Sequence, residues 1–352
     1  MSESLTQRPD NVAFVEGLRG VAVLAVFFCH VAVIDFNGNG PLWPGVSFAW
    51  SHGVDLFFVI SGFCMAEIFR RRGRIDYGRF LARRFIRIAP AFYIATIAFF
   101  ALERTPFGTP GFNNGGSDLV HSLLFAIPLM GARVNGVLWT IAVEARWYVI
   151  CPAILVLYRW SPRAFIAVGV ISYVVYALNG IKSHFDDFGY LPCFMMGVLA
   201  SDLYRRDHPA LRFVIPAFAV FLPLAILTPQ RNMNFWHGYP TWHFAVFLGF
   251  LVASRPSLAP FFSNPVLRAF GTASYSIYLT HLPVLLWLVG LHLGFWPSAT
   301  GALTIGFIFW AIVERPLHGE RVRASLEQAI LSFPQALRLA LARNSQRAVR
   351  ED

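Results

Sequence analysis

Five ionisable side chains lie inside otherwise apolar runs: Arg19, His30, Asp55, Glu144 and His281. Burying such a group in hydrocarbon is costly, so each position is a candidate for function. A histidine titrates near neutral pH, and a carboxylate beside it can orient the ring and stabilise its cation. That pair suits proton transfer, in which the ring takes a proton from an alcohol as the alcohol attacks a carbonyl. The first run, GLRGVAVLAVFFCH, carries both Arg19 and His30. On one helix their side chains stand about 16 Å apart along the axis. Glu16 precedes Arg19 by three residues on the same face and could simply pair with it. The alternative for Arg19 is an anion site, and Arg83, Arg84 and Arg87 strengthen it. Their spacing gathers them at the start of a later apolar run, and guanidinium forks suit phosphates.

The elements that position these groups are membrane helices. Hydrophobic residues make up 56% of the 352 and charged residues only 14%, far from the balance of a water-soluble domain. About twenty apolar residues cross a bilayer. Ten segments are predicted to do so: 13–35, 53–69, 86–103, 137–158, 163–181, 188–204, 211–228, 240–254, 273–294 and 296–314. The stretch 118–131 is apolar but short, and reads as a re-entrant or interfacial helix. The fold class expected is therefore an all-α polytopic membrane protein.

Of the 29 basic residues, 23 fall in the segments that are internal if the N-terminus is internal. The positive-inside rule then places both termini in the cytoplasm, and explains the basic excess without nucleic acid. Residues 1–316 form the transmembrane domain. Residues 317–352 form a basic amphipathic tail, with Leu326, Ile330, Phe333, Leu337 and Leu341 at helical spacing. The four cysteines show no metal-ligand spacing and read as core residues, so no metal is expected. No cleavable signal peptide is expected either.

Rise per residue gives approximate depths. His30, Ser61 and Glu144 come out at similar levels toward the outer surface, which makes them expected neighbours. His281 falls several ångströms nearer the inside, and Asp55 falls near the outer mouth. Trp236, His237, Tyr239 and Trp242 could stack on sugar rings, although interfacial anchoring explains them as well. A histidine and a glutamate at mid-depth would also serve a proton-coupled transporter. Such proteins often show repeated halves, and none is visible here.

Six stretches together carry a resemblance: FVEGLRGVAVLAVFFCH, GVDLFFVISGF, RRFIRIAPAFY, LWTIAVEARWYVICP, FGTASYSIYLTHLPV and the terminal VERP of Glu314 to Pro316. In this order, over residues 14–316, the chain resembles the membrane-bound acyltransferase family 3, bacterial O-acyltransferases of surface polysaccharides and related acceptors. The resemblance implies multi-pass residence in the bacterial cytoplasmic membrane, with acyl-CoA as a cytoplasmic donor and no resident cofactor. The acyl group, acetyl by default, would pass to a hydroxyl of an extracytoplasmic or lipid-linked glycan. It further implies that His30 is the essential histidine, that Arg19 meets the CoA portion, and that Glu144 sits in the catalytic chamber. Arg83, Arg84 and Arg87 match the family's arginine motif. Here His30 is the expected base with Glu144 orienting it, while Ser61, Asp55, Tyr278 and His281 support them. Some members carry an appended esterase-like domain, and none is expected here. The glutamate motif usually continues with Glu and Gln, whereas Ala145 and Arg146 follow Glu144.

Overall fold

The computed structural model describes residues 13–36, 49–72, 76–105, 115–125, 135–179, 186–206, 208–227 and 239–332. Every element among them is helical. A helix occupies each of the ten positions read from the sequence. They are α1 (Ala13–Val33), α2 (Gly53–Arg72), α3 (Tyr77–Leu102), α5 (Leu138–Trp160), α6 (Pro162–Asn179), α7 (Asp186–Arg206), α8 (Val214–Leu227), α9 (Tyr239–Ala253), α12 (Ser274–Gly290) and α13 (Phe295–Leu317). Between them lie α4 (Gly116–Leu123), α10 (Ala259–Phe262) and α11 (Pro265–Thr272), and α14 follows over 320–332.

Among the described residues, six helices are long and apolar enough to cross a membrane: α1, α2 counted from Ala49, α3, α5, α8 counted from Pro209, and α13. A seventh is added when α11 and α12, bent by 71° at their junction, count as one span. The apolar parts of α6 and α9 are short, and α7 carries five charged residues. Helix α7 also buries Cys193, Phe194, Met195, Val198 and Ala200 in the bundle core. A helix enclosed by other helices meets little lipid, so its composition is released from the hydropathy of a lipid-facing span. The chain is thus a multi-pass membrane protein, all-helical among the described residues.

Small residues set the tightest crossings. A Cβ on Gly17 would lie 1.6 Å from the Phe262 carbonyl oxygen, and one on Gly20 2.1 Å from that of Leu267. These glycines let α1 lie backbone against backbone on α10 and α11. Gly62 and Gly197 do the same between α2 and α7, where added Cβ atoms would meet the Phe194 and Val59 carbonyls. Close approach through small residues is the usual means of helix association in lipid.

Two internal prolines expose carbonyls that the bilayer could not hydrate, and side chains cover both. Pro192 supplies no N–H for Phe188 O, which accepts from Ser172 Oγ at 2.6 Å. Pro283 likewise leaves Leu279 O, which accepts from Asn135 Nδ2 at 2.7 Å. The second bond fixes the start of α5 against α12, two of the helices that carry the site. The expected short helix at 118–131 is met by α4, and Phe125 beyond it takes a left-handed φ of 54°. Residues 126–131 lie outside the described residues, as do Phe333, Leu337 and Leu341 of the tail.

Candidate active site

Two cavities approach each other inside the bundle, and Val54 and Tyr278 line both. The first opens among the arginine-bearing ends of α1 and α3. Arg19, Ser61, Arg84, Arg87, Glu144 and Glu314 line it, together with Tyr148 and Tyr275. The second lies beyond Tyr278 and contains Cys29, His30, Ser51, His52, Asp55, Trp139 and Tyr190. Tyr278 is fixed in this shared wall by a 2.7 Å hydrogen bond between its hydroxyl and Thr140 Oγ1.

Arg19 lines the first cavity from the turn of α1 that Gly17 and Gly20 seat against α10 and α11. Glu16 does not pair with it, and binds Arg268 Nε at 3.0 Å instead. The Arg19 guanidinium donates to the Cys64 thiol at 3.5 Å, a weak acceptor. The three arginines of α3 divide. Arg84 and Arg87 line the cavity, and the Arg84 guanidinium lies 5.7 Å from the Tyr148 ring centroid. Arg83 turns to the tail, where its Nε and Nη2 donate to both carboxylate oxygens of Glu327 on α14, at 2.9 and 3.2 Å. That forked contact removes Arg83 from the cavity group expected from the sequence.

The carboxylates of this cavity are held by hydroxyls. Ser61 Oγ and Tyr148 Oη both donate to Glu144 Oε1 at 2.5 Å. Arg146, the departure from the family pattern, points elsewhere and donates to Phe125 O at 3.0 Å. Glu314 is buried and accepts from Ser276 Oγ at 2.5 Å. A π-helical turn over Trp310–Glu314 presents it there, the kind of local widening often found at functional sites. Glu314, Tyr148 and Tyr275 were missed as site residues. Glu314 lay in the VERP stretch, and Tyr148 lies one helical turn from Glu144.

In the second cavity His30 is backed by His281. His281 Nδ1 faces the carbonyls of Tyr278 at 2.8 Å and Ile277 at 3.1 Å, so it carries the proton. Its Nε2 then accepts, and His30 Nδ1 lies 3.2 Å away. His30 Nδ1 also lies 2.9 Å from Val26 O, which requires a donor. With both rings neutral, this chain of bonds leaves the lone pair on His30 Nε2. The expected His30–Glu144 pair is not formed, because the bonds of Glu144 go to Ser61 and Tyr148. Depth along an axis brought Ser61 and Glu144 to one level correctly, but it cannot tell on which side of Tyr278 a side chain falls. His281 sits closer to His30 than its depth implied, since depth from rise per residue is good only to several ångströms and carries no rotation about the axis.

Asp55 is buried in the second cavity wall, with His52 Nδ1 2.5 Å from its Oδ2. The His52 ring stacks on Trp242, with centroids 4.5 Å apart and planes 9° from parallel. Trp242 therefore braces a polar cluster. Trp236, His237 and the side chain of Tyr239 lie outside the described residues.

Comparison with known proteins bears on this architecture. The profile of the acyltransferase 3 family, described as an acyltransferase domain, matches residues 12–314. The O-acetyltransferase OatA of Staphylococcus aureus strain NCTC 8325 / PS 47 is 26% identical over 324 residues, covering 79% of this chain and 51% of that protein. OatA of Staphylococcus aureus strain COL matches with the same identity and coverage. The chain thus spans about half the length of the curated relatives it matches. No solved structure matches it significantly. Every residue lining the two cavities lies inside the profile match, and the chain belongs to the acyltransferase 3 family of non-aminoacyl acyltransferases.

Proposed function

We propose that this protein moves an acetyl group from acetyl-CoA to a hydroxyl of a glycan or lipid-linked acceptor. The observation that carries the reading is the pair of cavities meeting at Tyr278, one lined by guanidiniums and the other holding the lone pair of His30. Arg19, Arg84 and Arg87 would receive the donor's phosphates, for which forked, permanently charged groups are suited. The eleven-residue step from Arg19 to His30 is about 16 Å, comparable to an extended pantetheine arm. The basic end of the bundle would face the cytoplasm and the His30 cavity the opposite side, in keeping with the arginine asymmetry. Such a donor and the sidedness fit the cytoplasmic membrane of a bacterium.

In the reaction, the acceptor hydroxyl gives its proton to His30 Nε2 as its oxygen bonds to the thioester carbonyl carbon. The carbon–sulfur bond breaks, and the leaving thiolate takes the proton back from the imidazolium. One thioester is consumed and one ester formed. His281 supports the imidazolium by accepting from His30 Nδ1. Glu144, held by Ser61 and Tyr148, would lie beside the incoming thioester on the arginine side of the wall. The transporter reading of the polar pair is not favoured, since the family match is to acyltransferases.

The test uses the full chain in lipid vesicles with acetyl-labelled CoA and candidate glycan acceptors. Wild type should transfer label, and His30→Ala should bind CoA without transferring. A chain that neither binds CoA nor moves label to any acceptor or to water would overturn the reading.

A further inference from the structure

Asp55, Cys193 and His243 meet at one point of the core, although 138 positions separate the first two in the chain. Each comes from a different helix: Asp55 from α2, Cys193 from α7 and His243 from α9. The three are enclosed, at 1%, 0% and 0% exposure. One carboxylate oxygen, the thiol sulfur and one ring nitrogen lie within 4.8 Å of one another. Within that group His243 Nε2 is 3.5 Å from Asp55 Oδ2. We propose that these three side chains hold a zinc ion, its fourth position left to a water from the second cavity that Asp55 lines, and so tie α2, α7 and α9 together.

Four features argue for a metal. The donor set is one thiolate, one imidazole and one carboxylate, the borderline mixture zinc accepts. Tetrahedral zinc with bonds of about 2.0–2.3 Å needs donors roughly 3.5 Å apart. The His243–Asp55 separation already meets that figure, and the Cys193 sulfur lies within 4.8 Å of both donors. The other ring nitrogen, His243 Nδ1, is 2.8 Å from the Tyr173 hydroxyl. Such a partner fixes the tautomer and aims Nε2 at a metal, as at most metal-bound histidines. Finally, a carboxylate at this depth needs positive charge, and the ion-pair partners of Asp55 among the described residues are histidines alone. A divalent cation would supply that charge, with the Cys193 thiol releasing its proton on binding.

Linear spacing could not show this site, because its ligands come from three separated helices. The inference is also independent of acyl transfer. It concerns what holds one wall of the cavity, and its readouts are metal content and spectra.

The experiment begins with the full chain, purified in detergent without a metal-binding tag and desalted, and measured for zinc by mass spectrometry. Stoichiometric zinc is expected, falling at least tenfold in Cys193→Ser but retained in Cys151→Ser, where the lost thiol is buried elsewhere. The chain is then stripped with a chelator and titrated with cobalt(II) alone. A thiolate-to-cobalt charge-transfer band should appear in wild type and in Cys151→Ser and be absent from Cys193→Ser. Zinc re-addition should restore the thermal midpoint that stripping lowers, which checks the site even if Cys193→Ser does not fold. Substoichiometric zinc together with no cobalt band in the stripped wild type would overturn the proposal. So would a band that survives in folded Cys193→Ser.

Discussion

The cavities on either side of Tyr278 are built from different chemistry. One is walled by guanidiniums whose charge is permanent, set against carboxylates that accept from hydroxyls. The other contains His30, whose ring proton is placed by the Val26 carbonyl and by His281 behind it. A permanent charge suits recognition of an anion, because it cannot be lost while the ligand is held. A neutral ring with a free lone pair suits proton transfer, because it must change state during the reaction. On the proposed reading, binding falls to one side of the wall and chemistry to the other. That division breaks if a change on one side alters the property assigned to its neighbour.

The largest effect is expected at His30. Removing a general base costs roughly 10²–10⁴-fold in turnover. His30→Ala should lose transfer on that scale in a labelled-acetyl assay while CoA affinity, measured by calorimetry, stays within error of wild type. A matching loss of CoA affinity would merge the two cavities into one site. The next largest belongs to His281, which acts through His30. A hydrogen bond to a charged group is worth about 1.5–3 kcal/mol, or roughly 10- to 150-fold in rate. His281→Phe keeps the ring volume but cannot accept from His30 Nδ1, so kcat should fall on that scale with the KM for CoA unchanged. His281→Gln offers an acceptor oxygen and should recover part of the loss. Equal loss in both variants would leave His281 as packing alone.

Much of this arrangement was legible from the chain. Apolar length pointed to a helix at each of ten positions, because burying twenty residues in hydrocarbon leaves a composition few other structures need. Six of those helices are long and apolar enough to cross a membrane. Rise per residue put Ser61 and Glu144 level, and they are hydrogen-bonded. What escaped depends on rotation about helix axes and on breaks in them. The His30–His281 contact rests on how α1 and α12 are rotated about their axes, which no local pattern announces. Arg83 leaves its neighbours because Glu327, 244 positions away, accepts from its Nε and Nη2. Glu314 enters the cavity through a π turn, and α7 hides its interior position behind a charge content that resembles a loop-flanked surface helix.

On the arginine side, Arg19→Ala should weaken CoA binding about tenfold, near 1.4 kcal/mol for the loss of one charge-assisted contact in a partly hydrated site. The KM for CoA should rise while kcat at saturating donor holds. This is the mirror image of His30→Ala, and together the two sharpen the division. Unchanged CoA affinity would count against Arg19 as a donor contact, and would shift recognition toward Arg84 and Arg87.

The smallest effect concerns the arginine that lies outside both cavities. Arg83 and Glu327 join α3 to α14, and the Arg83 guanidinium holds the Glu327 carboxyl below the usual carboxylate range. A carboxylate lowered in this way stabilises the contact fully above its ordinary titration range. That contribution fades as pH falls through the lowered value, because protonation then removes the charge Arg83 grips. The pair is partly exposed, so it should contribute no more than about 0.2–1 kcal/mol. Glu327→Gln should therefore speed hydrogen exchange of 320–332 modestly at neutral pH. Wild type should approach the variant's exchange behaviour only in acid, once intrinsic rates are corrected for pH. If Arg83 served the donor instead, Glu327→Gln would release it toward the cavity and tighten CoA binding. Unchanged CoA affinity alongside faster exchange would keep Arg83 as the anchor of the tail, distinct from the three arginines that line the first cavity.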